Sequence, residues 1–385
     1  MSRLAAARAV GIEVAARHAD DVDTKARFPR EAISALKDAK LLGLLVPRSL
    51  DGPGASLAEG VAICHELGRH CASTAMIYAM HQIQVWCIAR HAGDSAWHGT
   101  FLGRLAAEQL LLASATSEAG IGGDVRSSLC AVEQHDDHLS LVKEASVISY
   151  GADSDCILVT ARRTPQSPAS DQVIVVAPRS CCTLEQLGSW DTLGMRGTCS
   201  NSYRLTVEGT IAQIVPAHYA DVSAQTMLPT SHLVWSAVWL GIATDAVRRA
   251  RAFVRAETRR KPDGVPTRDR RLVEANSLLQ QMKSTLTASL RDYEAALGNE
   301  DAVSSLGFAV GMNNLKLACS QLAVRIVEHA LLVCGLEGYR NDSAYSVGRH
   351  LRDAYSAVLM VNNDRIAANT ARLLPALHDD RELLA

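Results

Sequence analysis

The period of the apolar residues changes twice along the chain of 385 residues, and that change restricts the fold more than any single motif does. From Ser2 to about Ala107 apolar residues recur at helical spacing. Ala32, Ile33, Leu36 and Ala39 share one face, with Pro29 suited to the helix start and Gly43 to its end. Asp51-Gly52-Pro53-Gly54 reads as a turn, after which Ser56 and Glu59 have capping-box spacing. Ser73 to Arg90 is a very apolar helix interrupted by His81, Gln82 and Gln84, a pattern that fits burial between other helices better than a membrane span. Between Leu110 and Ile214 the texture shifts to short runs such as Ile157-Leu158-Val159 and Val173-Ile174-Val175-Val176, bounded by Gly, Asp, Ser and Pro. Beyond Pro216 the helical period returns. Trp235, Val238, Trp239 and Ile242 form one stripe, Leu278, Met282, Leu286, Leu290, Tyr293 and Leu297 a second, Leu315, Leu322 and Ile326 a third, and Leu351 to Leu374 a fourth. The expected fold class is α+β: an N-terminal helical domain at 1–109, a central β domain at 110–215 and a C-terminal four-helix bundle at 216–385.

Composition removes several functions. A formal net charge of −2 gives no broad basic field for a nucleic-acid backbone. The local run of Arg248, Arg249, Arg251, Arg255, Arg259, Arg260 and Lys261 reads as a solvated helix face or a cofactor phosphate site. The ten cysteines show no paired CxxC at zinc spacing, so no metal site is expected and buried thiols in a reducing compartment are the economical reading. Arg3, Arg8 and Glu13 lie among alanines, unlike a secretory signal, and no run of about 18 apolar residues occurs, so the expectation is cytoplasmic, with no membrane partner.

Several short segments, in order, make the chain resemble the acyl-CoA dehydrogenases across nearly its whole length. Phe28-Pro29, Glu31, Leu36, Gly43-Leu44 and Pro47, followed by Gly52 and Gly54, look like that family's N-terminal entry. Ser117-Glu118-Ala119-Gly120-Ile121-Gly122-Gly123-Asp124 is similar to its Thr-Glu-Pro-x-Ala-Gly-Ser-Asp loop. Val147-Ile148-Ser149-Tyr150-Gly151 resembles its Trp-Ile-Thr-Asn strand, with Ser149 at the flavin-facing threonine position. Leu193-Gly194-Met195-Arg196-Gly197-Thr198 is the best single match, and Gly335, Gly338-Tyr339 and Arg352-Asp353-Ala354 follow in order.

The resemblance implies FAD, hydride transfer from an acyl thioester to the flavin, and a carboxylate that removes the α proton while the thioester carbonyl is polarised. On this reading Ser117 and Ser149 donate hydroxyls to the flavin, and Trp190 with the 194–198 segment shapes its surroundings. Arg259 and Arg260 reach a diphosphate, with Gly335 also at the cofactor. Taken alone, a loop serine more commonly satisfies its own backbone and a tryptophan is plain core.

Two departures stand out. The family's base positions hold Val361 and Ser231, neither of which is a carboxylate, and His232 beside the second becomes the candidate base, against a bland capping or core-edge role. Asp364 is a further acid past the catalytic turn, and His81 reads as a core histidine. In Arg260-Lys261-Pro262-Asp263-Gly264, aspartate stands where many members carry the phenylalanine of a segment contacting a neighbouring subunit's FAD.

The resemblance therefore implies an acyl-thioester dehydrogenase acting on CoA or carrier-protein substrates with an unusual base. A second reading is a flavin-dependent monooxygenase using FMN or reduced flavin from a separate reductase, and a third is a degenerate binding homologue. A homodimer or homotetramer, with an electron acceptor protein or a reductase as partner, completes the expectation.

Overall fold

A computed structural model describes residues 1–122, 124–260 and 267–377. Six helices come first: α1 (Arg3–Val10), α2 (Ala16–Thr24), α3 (Arg30–Asp38), α4 (Leu57–Gly68), α5 (Ala72–His91) and α6 (Ala96–Glu108), with one π-helical turn joining α1 to α2. Ser2 caps α1 by accepting the Ala5 amide at 3.2 Å. Ser56 caps α4 through the Glu59 amide at 3.3 Å, but the Glu59 carboxylate pairs with Arg3 at 3.1 Å instead of closing a capping box. Gly43 does not end α3; the helix stops at Asp38, and Lys40, at φ 57, makes the left-handed exit. α5 is buried along most of its length, as its apolar run requires.

Seven strands follow: β1 (Leu112–Ala115), β2 (Glu133–His135), β3 (His138–Ala145), β4 (Cys156–Arg162), β5 (Gln172–Pro178), β6 (Cys182–Gly188) and β7 (Ser202–Thr210). They form two sheets, β1-β4-β5, in which β1 runs parallel to β4, and the antiparallel β2-β3-β7-β6. β4 and β5 are buried almost throughout, while β3 alternates, turning Leu139, Leu141, Lys143 and Ala145 inward. The inward lysine is matched by Glu118 at 3.5 Å and by the Thr160 carbonyl at 2.7 Å.

The remaining helices are α7 (Tyr219–Val222), α8 (Leu228–Arg260), α9 (Thr267–Ala296), α10 (Glu300–Val303), α11 (Leu306–Cys334), α12 (Leu336–Tyr339), α13 (Gly348–Leu359) and α14 (Asn363–Leu373). α8 packs on α4, α5, α9 and α11, so the first bundle helix also ties the bundle to the N-terminal helices. α11 is long and apolar enough to span a membrane by length and composition, although polar residues such as Asn313, Asn314 and Lys316 interrupt it; half of its most apolar stretch is buried inside this fold. The fourth sequence stripe is not one helix. It breaks at Met360–Asn362 into α13 and α14, with Val361 at φ 48.

Candidate functional site

The first half of the site lies where the loop after β1 meets the segment after β3. Ser117 Oγ donates to the Val147 carbonyl at 2.9 Å and accepts the Val147 amide at 3.3 Å, stitching the two segments together two residues from Ser149. Ser117 thus performs the backbone-satisfying role common for a loop serine. Ser149 Oγ lies 2.7 Å from Ser200 Oγ, which lies 2.8 Å from Thr198 Oγ1. Thr198 donates to the Met195 carbonyl at 2.9 Å, and Trp190 Nε1 donates to the same oxygen at 3.1 Å. Ser149, Trp190 and the Leu193–Thr198 segment therefore converge on one carbonyl. A carbonyl only accepts, so the proton order Ser149 to Ser200 to Thr198 to Met195 uses every hydroxyl hydrogen inward and leaves lone pairs open on half-buried Ser149.

Two buried acids hold these segments in place. Glu118 accepts Ser128 Oγ at 2.7 Å, the Leu129 amide at 3.1 Å and the Cys130 amide at 2.7 Å, pinning the loop that carries Ser117. Asp353 on α13 accepts the Met195 amide at 2.7 Å. Gly194 lies against the same helix: a Cβ there would stand 2.2 Å from the Arg352 carbonyl, so only glycine permits this contact. Burial pushes the Asp353 carboxyl up to about 6.

The second half is the turn between α13 and α14, with the helices beneath it. Arg365 on α14 donates to the Gly122 carbonyl, bringing this turn toward the Ser117 loop. Gly123, the next residue of that loop, lies outside the described residues. Val361 and Ser231 are where the resemblance expects a carboxylate. Ser231 is buried and donates to the Met227 carbonyl at 2.5 Å, while Asp364 is exposed on the outer side of the turn. His232 is buried; its Nδ1 lies 3.0 Å from the Met312 carbonyl on α11 and must carry the hydrogen, since a carbonyl cannot donate. Nε2 is then a bare acceptor with no hydrogen-bond partner among the described residues. Burial, with a smaller push from Lys316, lowers the imidazole to about 4. His81 is different. Its Nε2 donates to the Leu42 carbonyl at 2.8 Å and its Nδ1 accepts the Leu112 amide at 3.0 Å, a fully used core histidine.

Lys316 was not singled out in the sequence, although a lysine inside the apolar stripe of α11 is a legible anomaly. It is fully buried, donates to the Val361 carbonyl at 2.8 Å and to Asn363 Oδ1 at 2.5 Å, and is pushed down to about 8 by burial. Asp245, on α8, and His350, on α13, pair at 2.8 Å in a second buried cluster that sequence reading also missed, because residues 105 apart give no local signal.

Three expected cofactor residues lie elsewhere. Arg259 and Arg260 are exposed at the far end of α8, with Arg260 3.6 Å from Glu257. At 1.5 Å per residue they stand roughly 40 Å along the helix from His232, at the opposite end of α8. Lys261 to Gly264 lie outside the described residues. Gly335 ends α11 at φ 56 and ψ −135, a conformation open to glycine.

Residues 3–109 match the family model for the acyl-CoA dehydrogenase N-terminal domain, and residues 222–360 match that for the acyl-CoA dehydrogenase C-terminal domain. A probable acyl-CoA dehydrogenase of Mycobacterium tuberculosis is 26% identical over 364 residues, covering 91% of this chain and 88% of that protein. A probable FMNH2-dependent monooxygenase of Pseudomonas putida, SfnC, is 23% identical over 329 residues, covering 83% of this chain and 80% of its own. Among solved structures, FMN-bound TdsC from a Paenibacillus species superposes with a TM-score of 0.85 at 17% identity, over 97% of this chain and 96% of that one. At that identity the likeness speaks for the fold alone.

Proposed function

The chain belongs to the acyl-CoA dehydrogenase family of flavoproteins, and from that premise we propose that it works as a flavin-dependent monooxygenase drawing on reduced flavin and oxygen. The observation that carries this reading is that neither position expected to hold the carboxylate base does so. Val361 and Ser231 occupy the two expected positions, and His232, the sequence candidate, is held near 4 by burial. Each unit of lowered pKa removes about 1.4 kcal/mol of driving force for taking a proton, so an imidazole in this state is a poor partner for the weakly acidic α carbon of a thioester. Oxygen insertion asks for no such abstraction. His232 then serves through its bare Nε2 as a hydrogen-bond acceptor for a substrate donor.

When bound, the flavin supplies the redox chemistry, as FMN or FAD. Ser117, Ser149, Trp190 and the 193–198 segment are the residues proposed to hold its ring, and Arg259, Arg260 and Gly335 those proposed to meet the cofactor of a neighbouring copy. The inward proton order that leaves Ser149 as an acceptor fits the N–H of reduced flavin better than the bare ring nitrogen of the oxidised form. A separate flavin reductase is the partner this chemistry needs.

Dehydrogenation of an acyl thioester on CoA or a carrier protein is the second reading, favoured by the likeness to a probable acyl-CoA dehydrogenase over most of both chains. One experiment separates them. Protein loaded with oxidised flavin is mixed anaerobically with a panel of acyl-CoA and acyl-carrier thioesters, and in parallel protein with reduced flavin is exposed to isotopically labelled oxygen and candidate acceptors. Label in a product, with no anaerobic bleaching, supports the monooxygenase; bleaching by a thioester overturns it.

A further inference from the structure

The turn between α13 and α14 is held from below rather than by its own residues. Val361 sits at φ 48, a left-handed conformation that a β-branched side chain avoids because its Cβ crowds the backbone. Among the described residues no hydrogen bond from inside the turn reaches Val361. The Asn362 side chain caps α14, accepting the Asp364 amide at 2.7 Å and the Arg365 amide at 3.4 Å. What reaches Val361 is Lys316, one helical turn beyond the Met312 that receives His232. Its ammonium donates to the Val361 carbonyl at 2.8 Å and to Asn363 Oδ1 at 2.5 Å, and stands 5.9 Å from the Trp239 ring centroid. Asn363 is braced in turn by Ser320 at 3.1 Å. Among the described residues no carboxylate pairs with this buried ammonium. A leucine or methionine would fill the volume without desolvating a charge, so its presence calls for a use that packing does not supply.

We propose that Lys316 is a positioning residue of the site: through Val361 O and Asn363 Oδ1 it holds the Met360–Asn362 turn with Val361 left-handed, fixing an apolar residue where the family places its carboxylate. Arg365, two residues into α14, grips Gly122 of the Ser117 loop, so the setting of the turn is passed to the flavin-side loop. The inference rests on the placement of flavin against Ser117 and Ser149.

The test is a double-mutant cycle on the full chain: parent, Lys316→Met, Val361→Gly and the double variant, each titrated with FMN and FAD by fluorescence, with the visible circular dichroism of the bound flavin recorded. Glycine adopts the left-handed region without strain. Lys316→Met is expected to weaken flavin binding about tenfold and change the dichroism in the parent background, and to weaken it about threefold or less in the Val361→Gly background, the size of effect a single left-handed residue sets. Equal loss in both backgrounds, or none in either, overturns the proposal. If Lys316→Met does not fold, recovery of folded, flavin-binding protein in the double variant supports it, and failure there too overturns it. A parent that binds neither flavin removes the flavin placement itself, a separate result from a parent that binds without coupling.

Discussion

Asp353 on α13 accepts the Met195 amide at 2.7 Å, so a bundle carboxylate directly anchors the segment on which Ser149 and Trp190 converge. Its carboxyl is raised from 3.8 to about 6, first by burial. A folded-state value above the unfolded one means that the associated stability is fully present below about pH 4 and is lost as pH rises through about 6. The size is about 3 kcal/mol from roughly two units. Asp353→Asn keeps an acceptor for Met195 and does not titrate. Urea unfolding from pH 4 to 7 should therefore show a smaller fall in stability for the variant than for the parent; identical pH slopes would remove Asp353 as the cause.

The buried pair of Glu118 and Lys143 should be sensitive to loss of one partner. Glu118→Gln leaves the Lys143 ammonium buried without its counter-ion and disturbs the amides of Leu129 and Cys130. Breaking such a pair costs about 3–5 kcal/mol. A matching fall in the free energy of unfolding, together with weaker flavin binding through the Ser117 loop, is the expected outcome. Stability within about 0.5 kcal/mol of the parent, the range of neutral surface changes, contradicts it.

Association of copies is the expected consequence of apolar side chains left exposed on the bundle. Leu332, Leu336 and Tyr339 are exposed around Gly335 at the end of α11 and on α12, and Leu359 is exposed at the far end of α13. Light scattering should give a dimer or tetramer, and Leu336→Glu with Leu359→Glu should shift it toward the monomer while lowering flavin occupancy. A stable monomer with full flavin occupancy is the contrary result.

Ser149 offers a sharper check on the redox state the site prefers. Its proton is committed inward along Ser200 and Thr198, so Ser149→Ala should weaken reduced flavin more than oxidised flavin, by about tenfold against threefold or less, for one hydrogen bond of about 1 kcal/mol or more. Anaerobic and aerobic titrations read both constants. A larger loss for the oxidised form makes Ser149 a donor and favours the dehydrogenase reading.

The fold was legible because it is written in periodicity: helical spacing, short β runs, then helical spacing again give the three regions without any side-chain detail. Local punctuation was less reliable. Gly43 was a reasonable helix stop, yet Lys40 took the left-handed position, and the Leu351 to Leu374 stripe hid a break because Val361 carries no turn signal. The missing carboxylates were legible as absences at positions 231 and 361. The contacts that organise the site around them were not: Lys316 reaches across 45 residues and Asp353 across 158, distances at which only the folded chain supplies the contact.

His232 and the two empty carboxylate positions give the last and most direct test. In the parent, the imidazole stays neutral above about pH 5, so turnover with reduced flavin should show no histidine titration between pH 6 and 8. His232→Ala should lower turnover by about tenfold, the scale of one lost hydrogen bond, while leaving flavin binding near parental; a positioned base would instead be worth about 100-fold or more. Ser231→Glu and Val361→Glu, made separately, each return a carboxylate to a position where the family has one. If either variant bleaches bound flavin anaerobically with an acyl-CoA that leaves the parent unchanged, α-proton abstraction is what the parent lacks. If the parent itself is bleached, and His232→Ala loses that reaction by about 100-fold, His232 is the base after all and the oxygenase reading fails.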